Sequence, residues 1–321
     1  MTEPIFLQGI CKDYLWGGNR LREEYGKQSD ADKIAESWEL ACHKDGSSIL
    51  KSGPDAGKTL REYLDAHGPA FLGTNCAGCT TVPVLIKLID AKQDLSIQVH
   101  PDDAYAMRTE GEPGKTEMWY IVDAAPGAAL YYGLNRTVTK EEFAQRIEAQ
   151  TLPEILNRVE VKPGELYFIP SGTLHAIGAG ILLAEIQQNS NTTYRIYDYG
   201  RLGKDGKPRE LHVDKAADVT KLCPPSIPDS SKREIENFDN AVRSKLTSCD
   251  LFTMYELSVD GSYSSVCDEQ SFVSLLCLEG SAEIECGNEK LTMKKGESIF
   301  IPANKGKFTI NGKVKILETR L

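Results

Sequence analysis

One stretch of this chain occurs twice. Residues 162–175 read KPGELYFIPSGTLH, and residues 294–307 read KKGESIFIPANKGK. Lysine, glycine, glutamate, phenylalanine, isoleucine and proline recur at matching places. Each copy spells a glycine turn, a short strand and a proline turn into the next strand. Two such copies imply two β domains built on one plan. The copies also differ. His175 aligns with Lys307, and Gly172 with Asn304. The second copy keeps the scaffold and loses the imidazole. If His175 holds a metal, the second domain is a metal-free relative of the first.

The length of 321 residues agrees with two domains at roughly 150 residues each. Strand-like runs dominate: LYFIP, SFVSLLCL, SAEIEC and KFTIN. Helix signals are few. Thr59 with Glu62 and Thr139 with Glu142 fit the capping-box pattern and predict helices over 60–66 and 140–149. A third short helix is expected over 213–219. Residues 223–245, which contain CPPSIPDSSKREIENFDN, are polar and proline-rich without apolar periodicity. They read as a linker or strap between domains.

Acidic residues exceed basic ones by 47 to 37, a net charge of −10. That disfavours nucleic acid, which needs a basic field, but leaves room for a small anionic ligand. The longest apolar run, Val82–Ile89, is interrupted by Lys87 and far too short to span a bilayer. The start, MTEPIFLQG, lacks the pattern of an export signal. No membrane association is expected. Nine cysteines at irregular spacing then read as reduced thiols of a cytoplasmic protein. The lone CxxC at Cys76 and Cys79 has no second pair at zinc-ribbon spacing and reads as structural.

Histidines number only five. Gln98 and His100 lie in LSIQVHPDD, two residues apart on a strand, so they share a face. Glu117 opens another apolar strand in GKTEMWYIV, and His175 follows the turn at Pro170–Gly172. Two imidazoles, a carboxylate and an amide oxygen suit Zn²⁺ with an open position, and equally Mn²⁺ or Fe²⁺. The alternative is that both histidines simply pack in turns. His43, His67 and His212 read as structural. Asp102 and Asp103 read as caps, and Trp38 and Tyr194, Tyr197 and Tyr199 as packing residues. GEPGK at 111–115 lacks the full GxxxxGK[ST] spacing of a phosphate loop and a helix after it.

GELYFIPSGTLH fits the second motif of the cupins: glycine, five residues, proline, one residue, glycine, two residues, histidine. VPVLIKLIDAKQDLSIQVHPDD, GKTEMWYI, GTLHAIG and NTTYRIYDYGR together resemble the zinc-dependent, cupin-type mannose-6-phosphate isomerases, in their short bacterial form. WGG at 16–18 and ESWEL at 36–40 extend the resemblance, which runs from about residue 5 to the C-terminus. It implies a mainly β chain of two cupin (jelly-roll) barrels with a few helices inserted in the first. The domains would be a catalytic barrel over 1–222, a strap over 223–245 and a metal-free barrel over 246–321.

The resemblance further implies one Zn²⁺ per chain on Gln98, His100, Glu117 and His175. Arg195 matches the family's arginine after the last histidine ligand. Ser96, Lys87, Lys115, Glu185 and Arg201 stand where the family lines its pocket. The implied reaction interconverts mannose 6-phosphate and fructose 6-phosphate through a cis-enediolate, which demands oxyanion stabilisation and a base in reach. Arg195 suits the first task. Glu185 and Lys115 are candidates for the second, with His100 a third whose lone pair a metal would occupy. Ser96, Lys87 and Arg201 would bind the phosphate. The partner is thus a small sugar phosphate, and self-association into a homo-oligomer is left open. Two other readings are a non-catalytic sugar-phosphate-binding cupin and an iron oxygenase. The amide Gln98 and the scarcity of histidine argue against the oxygenase.

Overall fold

A computed structural model describes residues 3–203, 206–226 and 233–321. It is mainly β, with two barrels back to back, as the duplicated stretch predicts. The first barrel closes from two sheets. The front sheet has five strands, in the order Leu156–Glu160, Ala129–Leu134, His175–Ile177, Ile97–Val99 and Tyr194–Tyr197. The back sheet has six: Leu166–Ile169, Glu117–Ala124, Ile181–Gln188, Val84–Ala91, Glu36–Leu40 and Ile10–Lys12.

Period-2 alternation sorts the back-sheet side chains into two cores. Trp119, Ile121, Leu183 and Ile89 face the barrel interior beside Leu130, Tyr132 and Ile177 of the front sheet. Met118, Tyr120, Leu182, Ala184, Ile186, Val84, Ile86 and Leu88 face away, onto Phe252, Met254, Phe272, Phe300 and Leu317 of the second barrel. Both faces of this sheet are therefore dry. That explains the apolar VLIKLI run, broken only by Lys87, whose strand is buried throughout.

Helices cover the outside of the front sheet. Phe143 of Lys140–Glu148 and Ala216 of Val213–Val219 pack on Ile97, Val99, Leu134 and Ile196. The helix Leu60–His67 opens on a complete capping box between Thr59 and Glu62. At Lys140–Glu148 only half of the box forms. Thr139 accepts from the Glu142 amide, while the Glu142 carboxylate turns to Arg136. Two further short helices, Arg20–Glu23 and Asp103–Thr109, carry no strong sequence signal, although Asp102 does cap the latter.

The second barrel belongs to a 9-stranded sheet running Glu234–Phe238, Ala241–Ser248, Thr253–Cys267, Gly306–Arg320, Val273–Cys286 and Ser298–Ile301, with Glu289–Lys294 on Val273–Cys286. Two features differ from the strap expected over 223–245. Residues 227–232 of it lie outside the described residues. Residues 234–238 and 241–248 are strands paired in register with each other and with Thr253–Cys267. Every residue of Glu234–Phe238 is exposed, so this edge strand has no apolar alternation to betray it. The sheet also recruits the start of the chain. Ile5–Gln8 pairs with Ser298–Ile301, and Ile49–Leu50 pairs with Ile5–Gln8.

Among the described residues, no helix is long and apolar enough to cross a membrane. All nine cysteines are free thiols.

Candidate functional site

Strand register builds the site as two rows that face each other across the first barrel. On the front sheet, His175 pairs with Gln98, and Gln98 pairs with Arg195. On the back sheet, Trp119 pairs with Glu185, Glu185 with Lys87, and Lys87 with Trp38. Glu117 precedes Trp119 by two residues and so projects on the same side. Every member of both rows has been placed by hydrogen-bonded backbone, not by a loop, which fixes the side chains tightly.

At one end the ligating atoms converge. His100, Glu117 and His175 offer donor atoms that all lie within 4.8 Å of one another. Glu117 Oε2 lies 3.4 Å from His100 Nε2, and Oε1 lies 3.3 Å from His175 Nε2. Gln98 Nε2 is 3.3 Å from His175 Nε2. Each imidazole is held from behind. His100 Nδ1 lies 3.0 Å from the Thr192 carbonyl, and His175 Nδ1 lies 2.9 Å from that of Thr173. A carbonyl only accepts, so each Nδ1 carries the proton and each Nε2 turns a free lone pair inward. Both Glu117 oxygens are buried, and Oε1 has no hydrogen-bond partner. Donor type, convergence and tautomer all fit a divalent ion.

The electrostatics agree. Burial, helped by Lys115, pushes the His100 pKa down to about 3, and burial lowers that of His175. Both rings stay neutral, as metal ligands must. Burial alone would raise Glu117, but the Lys115 ammonium outweighs it and holds the carboxyl well below its usual range. Lys115 Nζ stands 2.8 Å from Glu117 Oε2 and 3.2 Å from His100 Nε2.

Beside this end opens a cleft of about 280 Å³. Of the residues anticipated from sequence, Ser96, Gln98, Lys87, Lys115, Glu185 and Arg195 line it. Lys87 differs from the expected phosphate ligand in one respect. Its ammonium is 2.8 Å from Glu185 Oε1 and 3.8 Å from Glu36 Oε2. Burial opposes its charge, but these two carboxylates overcome that and raise its pKa. A lysine so compensated has little charge left for a phosphate. Trp119 Nε1 donates to Glu185 Oε2 at 2.9 Å, and Trp38 Nε1 to Glu36 Oε2 at 2.7 Å.

Arg201 stands outside the lining of the cleft, with Nη2 on Asp198 and Nη1 on the Asp94 carbonyl. Arg209 lines the cleft, anchored by Nε and Nη2 on Asp198 at 2.7 and 2.5 Å. Sequence reading missed Arg209 because its chain position lies beyond every motif, and only its anchorage on Asp198 marks it. His212 holds the neighbouring arginine's backbone, since its Nδ1 accepts from the Arg195 amide at 3.2 Å. Arg195 Nε donates to Ser96 Oγ at 3.3 Å, and Nη1 to the Glu210 carbonyl at 3.0 Å. Burial and repulsion from Arg209 lower the Arg195 pKa, the mark of a crowded positive corner.

Glu36, Tyr14 and Trp16 complete the wall. Trp16 comes from the WGG triplet, whose glycines permit close approach. A Cβ on Gly17 would lie 2.4 Å from that of Ala35, and one on Gly18 would lie 2.3 Å from Asp90 Oδ2.

Comparison with known proteins places this geometry. Residues 5–120 match the family model described as phosphomannose isomerase type I, catalytic domain. Residues 243–320 match that described as mannose-6-phosphate isomerase, cupin domain. A probable mannose-6-phosphate isomerase of Bacillus subtilis is 40% identical over 313 residues, covering 97% of each chain. A second mannose-6-phosphate isomerase of that organism is 39% identical and covers 100% of this chain and 99% of its own. A crystal structure of a mannose 6-phosphate isomerase from Bacillus subtilis superposes with a TM-score of 0.92 at 36% identity, covering 100% of both chains.

Proposed function

Since the chain belongs to the mannose-6-phosphate isomerase family, we infer that it interconverts mannose 6-phosphate and fructose 6-phosphate in the cleft of the first barrel. The carrying observation is that two neutral imidazoles and a carboxylate converge beside a cleft holding both a carboxylate–lysine pair and an arginine corner.

Gln98, His100, Glu117 and His175 would hold a single Zn²⁺. Bound there, it would polarise the sugar carbonyl and favour the enediolate. The chain's own residues divide the remaining work. Glu185 is the proposed base. Trp119 fixes its Oε2, while its Oε1 is buried against the Lys87 ammonium at 2.8 Å. One carboxylate so held can take the proton from one carbon and return it to the next. Lys115, drawn onto Glu117, serves better to keep that carboxylate ionised. Arg195 stands next to Gln98 in register and faces oxygen charge as it develops.

The phosphate would sit at the arginine corner of the cleft, by Arg209, Arg195 and the Ser96 hydroxyl. Asp198 engages Nε and Nη2 of Arg209, which leaves its Nη1 as a charged donor for a phosphate oxygen. Phosphorylated sugars and free thiols both point to the cytoplasm.

The test is a coupled assay of fructose 6-phosphate formation from mannose 6-phosphate, on metal-stripped protein with and without added Zn²⁺. Metal-dependent turnover is expected. A folded, zinc-binding chain that turns over nothing would leave a non-catalytic sugar-phosphate binder instead.

A further inference from the structure

The strand Glu117–Ala124 has a different job on each face. Inward it presents Glu117 and Trp119, the first among the convergent donor atoms and the second hydrogen-bonded to Glu185. Outward it presents Met118 and Tyr120 to the second barrel. Tyr120 is 3% exposed, and its hydroxyl donates to Glu256 Oε2 in a short hydrogen bond. Glu256 belongs to Thr253–Cys267, whose register partner at that point is Leu317. The contact thus joins the first part of a long second-barrel strand to the strand that carries the site. Burial, and then the Glu256 carboxylate, raise the Tyr120 pKa, so the phenol stays protonated and able to donate.

We propose that Glu256, in the metal-free barrel, is a positioning residue for the site in the other. By holding the Tyr120 hydroxyl it fixes the height of Glu117–Ala124 in the back sheet. Glu117 and Trp119 are rigidly spaced from Tyr120 along that strand. A shift of Tyr120 therefore moves the ligand carboxylate and the indole that orients Glu185 together. Around this point Met118, Ala184, Ile186 and Leu88 pack against Phe252, Met254 and Leu317, and Arg233 Nη2 donates to the Gly164 carbonyl at 2.6 Å. Apolar packing sets distance but not lateral register, whereas a hydrogen bond on the strand itself sets both. This gives the metal-free barrel a role in the chemistry. It rests on the isomerase reading above for its activity readout only.

The test uses the full chain with Tyr120→Phe, Glu256→Gln and the two combined, loaded with Co²⁺ in place of Zn²⁺. The visible bands of Co²⁺ report the geometry of its ligands. Each single variant should shift those bands and lower kcat about threefold to tenfold, the scale of one lost hydrogen bond, with KM unchanged. The double variant should be no worse than the poorer single, because both remove one contact. Should Tyr120→Phe fail to fold, Glu256→Gln carries the test from the far side of the interface. Variants with unaltered bands and kcat would overturn the proposal, and so would singles whose effects multiply in the double. Co²⁺ uptake without turnover in the unsubstituted chain would sink the isomerase reading alone, since the bands of the variants would still decide the positioning role. A chain that takes up no Co²⁺ would overturn both.

Discussion

Lys87 and Glu185 are direct partners on adjacent strands, and their charged tips meet at 2.8 Å inside the first barrel. Glu36 stands on the other side of the ammonium at 3.8 Å. Removing the lysine strands two buried carboxylates. Lys87→Met should therefore destabilise the protein by about 3–5 kcal/mol, read from denaturant unfolding. Adding Glu185→Gln should recover part of that loss, because it removes one uncompensated charge. A Lys87→Met protein of unchanged stability, with only a raised KM, would return the lysine to the phosphate.

Arg209 and Arg201 make a contrasting pair, since both bind Asp198 but only Arg209 lines the cleft. Arg209→Gln should raise the KM for mannose 6-phosphate roughly 10- to 100-fold, the worth of a charge-assisted hydrogen bond. Arg201→Gln should raise it far less. Equal effects would show that the loop, and not the guanidinium, matters.

The two imidazoles have only Nε2 to offer a metal, because Nδ1 is spoken for. His175→Ala should weaken Zn²⁺ binding more than ~100-fold, beyond the loss typical of an outer-shell partner. Competition with a chromophoric chelator measures it. Gln98→Ala should cost less, as a neutral amide oxygen is the weaker donor. The reverse ranking would place Gln98 elsewhere in the mechanism.

Asp198 supplies a pH signature. Burial works against its ionisation, yet hydrogen bonds from Arg209 and Arg201 outweigh it and hold its pKa below the ordinary 3.8. The folded state then binds fewer protons than the unfolded one across that interval. Its contribution is complete above pH 3.8 and disappears as the pH falls toward the lowered folded value. The stability difference between the native chain and Asp198→Asn should be constant near neutrality and shrink below that point. A difference independent of pH down to 2 would refute the ion cluster.

How far these features could be read beforehand varies with how local their cause is. His100, Glu117 and His175 were legible because histidine is scarce and strand periodicity fixes which side chains share a face. The duplicated stretch revealed two barrels without reference to any contact. Arg209 was not legible, because what brings it to the cleft is Asp198, eleven residues earlier, across a loop. Lys87 lines the cleft as its sequence position implies, but its two carboxylate partners come from strands distant in sequence and are not legible there. Glu234–Phe238 reads as a strap because an edge strand exposed on every residue carries no alternating pattern.

The pairing of Ile5–Gln8 with Ser298–Ile301 joins two strands about 290 residues apart in one sheet. During translation the first strand must wait for its partner. At 5–20 residues per second the delay is ~15–60 s. Once residue 188 is made, the back sheet of the first barrel bares Met118, Tyr120, Ile186 and Ile86, against which residues as late as Leu317 pack in the folded chain. The nascent chain therefore passes through an interval with its candidate metal-holding residues already made and one face of their sheet still bare.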